Sequence, residues 1–428
     1  MMLVYSRWLF WAITLLAPVL VANYYLGKDY FHLLLFLALP IAIWFSWSSN
    51  ENTHKVYQNF KTGYNESLVL WGVLLFIISI LPGYFLQDTT GLSRYAPAVE
   101  VRLMYLLPLF FVPVFWLSGL NFRLNHLWLI IAISALVVSV ITLSDIYTGI
   151  EDRYSRIHGH PIPFGNLSLL LGVWLLVGVF FFSQTWNSWQ KWSMFFLGIG
   201  GLLASAYSGT RGGWIAIPMI LLLMWKWRLL VVRHLLLLVL FVIIVVLLAF
   251  SFDNTISKRL SSAVFEVREL WITGGSFDGG SIGSRLAFWQ VAWQAFLSSP
   301  IWGIGIGEFY AFKMQLVESG SLGVHLASFK HAHSEYFSIL SNQGVLGVLI
   351  LGLWFMWLWR IFLRASQSIN SEHRVVGVLG GVMLVAYLDF CLSESMLTSQ
   401  VGGVFFMLII TLLLHLIDNS RNSDPHAQ

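Results

Sequence analysis

Two histidines, a few arginines and two acids are the residues best able to do chemistry in this chain. His331 and His333 lie in the run Lys330-His331-Ala332-His333-Ser334-Glu335. Two positions apart, they share one side of an extended segment but different faces of a helix. An imidazole ionises at about 6.5, so a histidine here can serve as a base or a hydrogen-bond partner; a solvated interfacial histidine is the plainer alternative. A metal would need further ligands from His325 or Glu335. With no His-x-x-x-His or Asp-x-Asp pattern in reach, no metal site is expected.

Ser208-Gly209-Thr210-Arg211-Gly212-Gly213 is the second candidate. Glycines beside an arginine allow close backbone approach and expose N–H groups, and the Ser208 and Thr210 hydroxyls add donors, a combination suited to phosphate oxygens. A tight interhelical turn with a snorkelling arginine would use the same residues. Arg285 falls in the first turn of a helix expected over 281–299, where the helix dipole favours an anion over a cation. Either an anion bridges the arginine and the free N–H groups, or the arginine is simply solvated. Asp389 and Glu394 belong to an apolar stretch near residue 390; Asp389 reads as a structural acid paired with a neighbouring helix, and Glu394 as a partner for a site arginine.

These residues need elements to hold them, and composition says what kind. The chain has 428 residues, 58% hydrophobic and only 10% charged, with a mean hydropathy of +0.76. That excludes a soluble domain and predicts an all-α polytopic membrane protein. Apolar runs of roughly 20 residues, enough to cross a core of about 30 Å, number about twelve. They fall at 8–26, 30–48, 67–86, 103–120, 126–147, 163–182, 190–207, 211–227, 233–251, 336–360, 374–392 and 399–417. Residues 1–251 thus carry spans one to nine, 252–335 form a large and largely helical external loop, 336–417 carry spans ten to twelve, and 418–428 form a tail. The first apolar run is long for a signal segment and reads as a retained helix.

The net charge of +4 is scattered over short loops. It orients helices and does not point to nucleic acid. With both termini cytoplasmic, that side holds twelve Lys and Arg and the opposite short loops six, which puts the long loop outside. Arg94, Arg102, Arg153, Arg156, Arg211 and Arg285 then face outward, where they can snorkel to lipid phosphates or gather around an anionic ligand. Cys391 is the sole cysteine, so an intrachain disulfide is excluded. The run Gly303-Ile304-Gly305-Ile306-Gly307 lacks a preceding strand and a following helix pattern, and reads as a close-packing turn and not a nucleotide loop.

His333-Ser334, nine further residues, then Gly344-Val345-Leu346-Gly347 resembles the pattern His-[Asn/Ser/Gln]-x9-Gly-x2-[Gly/Thr/Tyr] of O-antigen ligases. The Arg211 turn, the loop arginine Arg285, the twelve-span layout and the large loop before the tenth span are also similar to that family. The resemblance implies a GT-C-like glycosyltransferase of the bacterial inner membrane with its active site on the periplasmic side. It implies a donor, undecaprenyl-diphosphate-linked glycan, and an acceptor, a sugar hydroxyl of lipid A-core, with membrane lipids around both and neither metal nor cofactor. On that basis His333, Arg211 and Arg285 are catalytic, and Arg211, Arg285, Ser208 and Thr210 bind the donor diphosphate. His331, Glu335, Glu394, Arg156 and Arg102 are further candidates.

An O-antigen polymerase or a protein O-oligosaccharyltransferase would share donor and topology and differ in acceptor. A transporter of the same lipid belongs to another class. It would predict internal repeats and polar midplane positions, whereas the polar groups gather at the outer side.

Overall fold

A computed structural model describes residues 17–18, 64–86, 102–109, 111–112, 122–148, 160–210, 212–229, 265–266, 268–269, 271–272 and 280–422. Every regular element among them is helical. In chain order we number α1 (Tyr64–Leu86), α2 (Leu124–Tyr147), α3 (Pro161–Phe181), α4 (Ser188–Tyr207), α5 (Ala216–Lys226), α6 (Gly280–Ser298), α7 (Glu308–Glu318), α8 (Glu335–Ser366), α9 (Ser371–Ser393) and α10 (Gln400–Asn422). Short 3₁₀ turns precede α5 and α8, at Gly212–Ile215 and Val324–Leu326.

Among the described residues five helices are long and apolar enough to cross a membrane: α2, α3, α8, α9 and the Gln400–Asp418 part of α10. This agrees with a polytopic membrane protein. The spans expected at 8–26, 30–48 and 233–251 lie outside the described residues, apart from Ala17 and Pro18. Of the span expected at 103–120, only a 3₁₀ turn at Leu103–Leu106 and a few helical residues after it are described. In the long loop the helix expected from 281 is α6, whereas most of the amphipathic stretch expected over 257–271 is outside the described residues.

Local signals set the helix ends. Pro161 opens α3 in the first turn, where its missing N–H costs nothing. Asn187 caps α4 through a reciprocal pair with Gln190, and the Asn370 side chain accepts from the N–H groups of Glu372 and His373 at the start of α9. In the interior, lipid supplies no hydrophobic drive between helices, so close contact of small residues must do the work. At the α3–α4 crossing a Cβ on Gly172 would come within 2.7 Å of the Gly198 carbonyl oxygen. The two backbones therefore touch, and the turn after α4 is carried over the start of α3.

The middle of the molecule is α9 and α10, buried almost throughout, while α8 turns one side outward. Polar anchors fix α9 in place. The Trp174 indole donates to the Leu379 carbonyl at 3.0 Å from α3, and the Tyr387 hydroxyl donates to the Gly402 carbonyl at 2.8 Å on α10. The Asp389 carboxylate accepts from the Ala216 N–H at 2.9 Å, capping α5. Asp389 is thus paired with a neighbouring helix.

Candidate active site

Four segments meet at one end of α8 and α9. The loop reaches α8 through Ser334, whose hydroxyl donates to the Cys391 carbonyl at 3.3 Å near the end of α9. Glu335, fully buried, accepts through one carboxylate oxygen from the N–H groups of Leu397 at 2.9 Å and Thr398 at 3.1 Å. Its other oxygen is 4.0 Å from Nη1 of Arg102, too far for a hydrogen bond. Glu335 thus latches the segment after α9 onto the first turn of α8. Ser338 and Ser395, with hydroxyls 3.3 Å apart, add a second latch.

That latch delivers Glu394 to the histidines. His333 Nδ1 is 3.2 Å from one Glu394 oxygen and His331 Nδ1 is 3.6 Å from the other. Burial pushes the Glu394 carboxyl up, but the hydrogen bond to His333, the charge of His331 and the Ser395 N–H outweigh it and hold the group at about 2. Burial pushes His331 down to about 4 against the pull of Glu394, so at neutral pH His331 is uncharged. The His333 bond and the Ser395 N–H are then what keep Glu394 ionised. An ionised carboxylate can only accept, so His333 donates to it through Nδ1–H, and in the neutral imidazole of that tautomer the lone pair is at Nε2. Glu394, read from the sequence as a partner for a site arginine, bonds His333 and lies beside His331, and its charge also acts on Arg285.

The backbone at His333 is left-handed, with φ of 49°, a conformation that costs energy for any residue with a Cβ. Aromatic rings hold it there. The Phe288 and Phe329 rings lie 5.8 and 5.5 Å from the imidazole. Arg285 lies one turn before Phe288 on α6. Burial pushes its guanidinium below the ordinary value, while the charges of Glu394 and Glu266 push it back up, so Arg285 lies within electrostatic reach of the dyad. At the start of α6 the Glu266 carboxylate accepts from the Ile282 N–H at 2.8 Å. At this helix start, where an external anion and a solvated arginine are the two readings of the sequence, the side chain of Glu266 takes one of the free N–H groups, as the helix dipole favours.

The turn between α4 and α5 reaches the same place. A Cβ on Gly212 would come within 2.3 Å of the Ser393 hydroxyl, so this backbone lies against the residue preceding Glu394. Ser208 and Thr210 are buried and face inward: the Ser208 hydroxyl serves the Ser205 carbonyl at 2.7 Å and the Thr210 hydroxyl the Pro161 carbonyl at 2.9 Å. Their donors stabilise the turn. Arg211 and Arg156 lie outside the described residues.

His331, His333 and Glu394 also bring three possible ligand atoms within 4.8 Å of one another. The set differs from the His325 and Glu335 considered on sequence, because the Glu335 carboxylate is spent on the Leu397 and Thr398 N–H groups. Against a metal, His333 Nδ1 is directly bonded to Glu394, and His331 Nδ1 accepts the His333 N–H at 3.3 Å.

Residues 193–352 match the family Wzy_C, described as O-Antigen ligase. The segment similar to O-antigen ligases therefore runs from α4 through the Arg211 turn, α6 and His333 to the middle of α8. An uncharacterized protein of Haemophilus influenzae is 24% identical over 307 residues, which is 70% of this chain and 75% of that protein.

The O-antigen ligase pattern contains Gly344, and the fold supplies a reason for it. Gly344, with φ of 63° and ψ of −159°, breaks α8. The break frees backbone groups of α8, and residues 300–305 take them up. The N–H groups of Ile304 and Gly305 donate to the Ser341 and Asn342 carbonyls at 2.8 and 3.1 Å, and the Val345 N–H donates to the Pro300 carbonyl at 2.9 Å. Contrary to the sequence pattern, a helix, α7, does follow the Gly303–Gly307 turn. A Cβ on Gly344 would come within 2.3 Å of the Ile301 carbonyl oxygen. Gly344→Ala is expected to destabilise the protein by about 1–3 kcal/mol through strain alone, more if the turn is displaced. Thermal unfolding in nanodiscs measures it, and an unchanged midpoint would refute this account of the break.

Proposed function

We propose that this protein is an O-antigen ligase: it moves a glycan from undecaprenyl diphosphate to a sugar hydroxyl of lipid A-core at the periplasmic face of the inner membrane. The observation that carries the reading is the His333–Glu394 dyad, set within reach of Arg285; His333 and Arg285 belong to the segment similar to O-antigen ligases, and Glu394 follows it. Glu394 holds the proton on Nδ1. His333 Nε2 takes the proton of the acceptor hydroxyl as its oxygen attacks the anomeric carbon. The bond from that carbon to the diphosphate oxygen breaks, and Arg211 and Arg285 stabilise the charge that develops there. The diphosphate leaves on its lipid, and the proton on His333 is released to water.

Both substrates are anchored in lipid, so a site at the end of the spans meets two head groups that diffuse in one plane. A single displacement inverts the anomeric configuration and requires neither a covalent glycosyl-enzyme nor a metal. The experiment offers purified protein the lipid-linked glycan with lipid A-core, with a second copy of the donor, or with a pilin-like protein, and reads the product by mass spectrometry and NMR. Transfer to lipid A-core with inversion is expected. Extension of the donor glycan would reassign the protein as a polymerase, labelling of the pilin as a protein O-oligosaccharyltransferase, and retention would overturn direct displacement.

A further inference from the structure

Lys313, in the middle of α7, is sealed from solvent, and no carboxylate pairs with it among the described residues. A buried ammonium must donate its protons or lose its charge. This one donates to the main-chain carbonyls of Leu326 at 2.7 Å, Ala327 at 3.0 Å and Phe329. It also sits over the rings of Tyr310 at 5.1 Å and Phe288 at 5.7 Å, a setting that favours a cation. Burial pushes its pKa down to about 8, which leaves it protonated at neutral pH.

What the ammonium holds is the approach to the site. The three carbonyls belong to the segment that runs directly into His331 and His333. Phe329, at its end, and Phe288, beneath the ammonium, lie against the His333 imidazole together with the His331 ring. His333 keeps a left-handed backbone, which persists only where surrounding contacts over-determine it. One cation thus ties α7, α6 and the segment 326–329 together, and these carry the two phenylalanine rings that pack on the imidazole.

We propose that Lys313 is a positioning residue for glycan transfer: by binding the carbonyls of Leu326, Ala327 and Phe329 it sets His333 against Glu394 without touching either substrate. The role in transfer rests on the function proposed above; the hold on residues 326–333 does not. The test compares wild type, Lys313→Met and Lys313→Gln as full-length protein in nanodiscs. It reads hydrogen exchange of peptides covering 326–333, and transfer kinetics with donor varied.

Lys313→Met takes the ammonium away from all three carbonyls: that of Leu326 keeps the Phe329 N–H at 3.4 Å, and those of Ala327 and Phe329 lose the donor that ties them to α7. Exchange across 326–333 is expected to quicken by about tenfold or more, with α2 and α3 unchanged. The same variant is expected to lose about tenfold or more in kcat with the donor KM within about twofold, because His333 is displaced while the diphosphate contacts stay. Lys313→Gln, which restores part of the donor set, falls between. It also carries the test if the methionine variant does not fold, and a glutamine variant equal to wild type in both readouts would then overturn the proposal. Unchanged exchange in Lys313→Met overturns the hold itself. Faster exchange with wild-type kcat overturns the positioning role. If wild-type protein transfers glycan to no acceptor, the functional reading fails, and exchange alone decides whether Lys313 secures the histidine segment.

Discussion

His333→Ala is expected to slow glycan transfer by about 10²–10⁴-fold, the usual contribution of a positioned general base, while donor affinity changes little. The separation follows from geometry. The imidazole is hydrogen-bonded to Glu394 and flanked by Phe288 and Phe329, and in the proposed mechanism its Nε2 serves the acceptor hydroxyl and not the diphosphate. Removing it also relieves the Glu394 carboxylate of a hydrogen bond that holds its pKa low. The measurement is kcat and donor KM for reconstituted protein. A fall in kcat/KM caused by KM alone would assign His333 to donor binding.

Arg285→Ala is expected to act on both quantities. A guanidinium that neutralises charge developing on a leaving diphosphate contributes about 10²–10³-fold to the chemical step, and its ground-state contact with the same anion adds donor affinity. Both effects are expected because Arg285 lies partly buried, near the acidic dyad, where solvent screens it little. Arg285→Lys should restore binding more than rate, since a lysine keeps the charge but not the planar fork. Titration of donor binding beside single-turnover transfer separates the two. A variant that binds and transfers as wild type would remove Arg285 from the site.

The parts of this site legible in the sequence are those that leave a local signature. A helix that starts after His333 and breaks at Gly344 writes its polar run and its glycines into one short segment. The apolar periods of α2, α3, α8, α9 and α10 announce themselves by length. The α6 helix is legible as a helix over 281–299, while the face it buries, with Ala287, Phe288, Val291, Ala292 and Ala295, is set by packing. Glu394 was visible only as an acid near the end of a span, because its partners are some sixty residues away and meet it through the Glu335 latch.

Lys313 gave no signal at all: a single lysine in a polar loop looks solvated until three carbonyls are found around it. Ser208 and Thr210 show the opposite limit. Their residue types suit phosphate oxygens, but the α3–α4 contact turns both hydroxyls toward the protein. The Gly303–Gly307 turn was readable as a close approach, yet what it approaches, the broken backbone of α8, depends on a pairing across some forty residues.

The measurement that bears most directly on the dyad is transfer from undecaprenyl-diphosphate glycan to lipid A-core by purified protein in EDTA, with wild type beside His333→Ala at saturating donor. A base that needs no metal predicts full wild-type transfer in the chelator and a loss of at least about 10²-fold in the variant. Wild-type transfer that EDTA abolishes and a divalent ion restores would contradict it, and would make His331, His333 and Glu394 ligands in place of a base and its carboxylate.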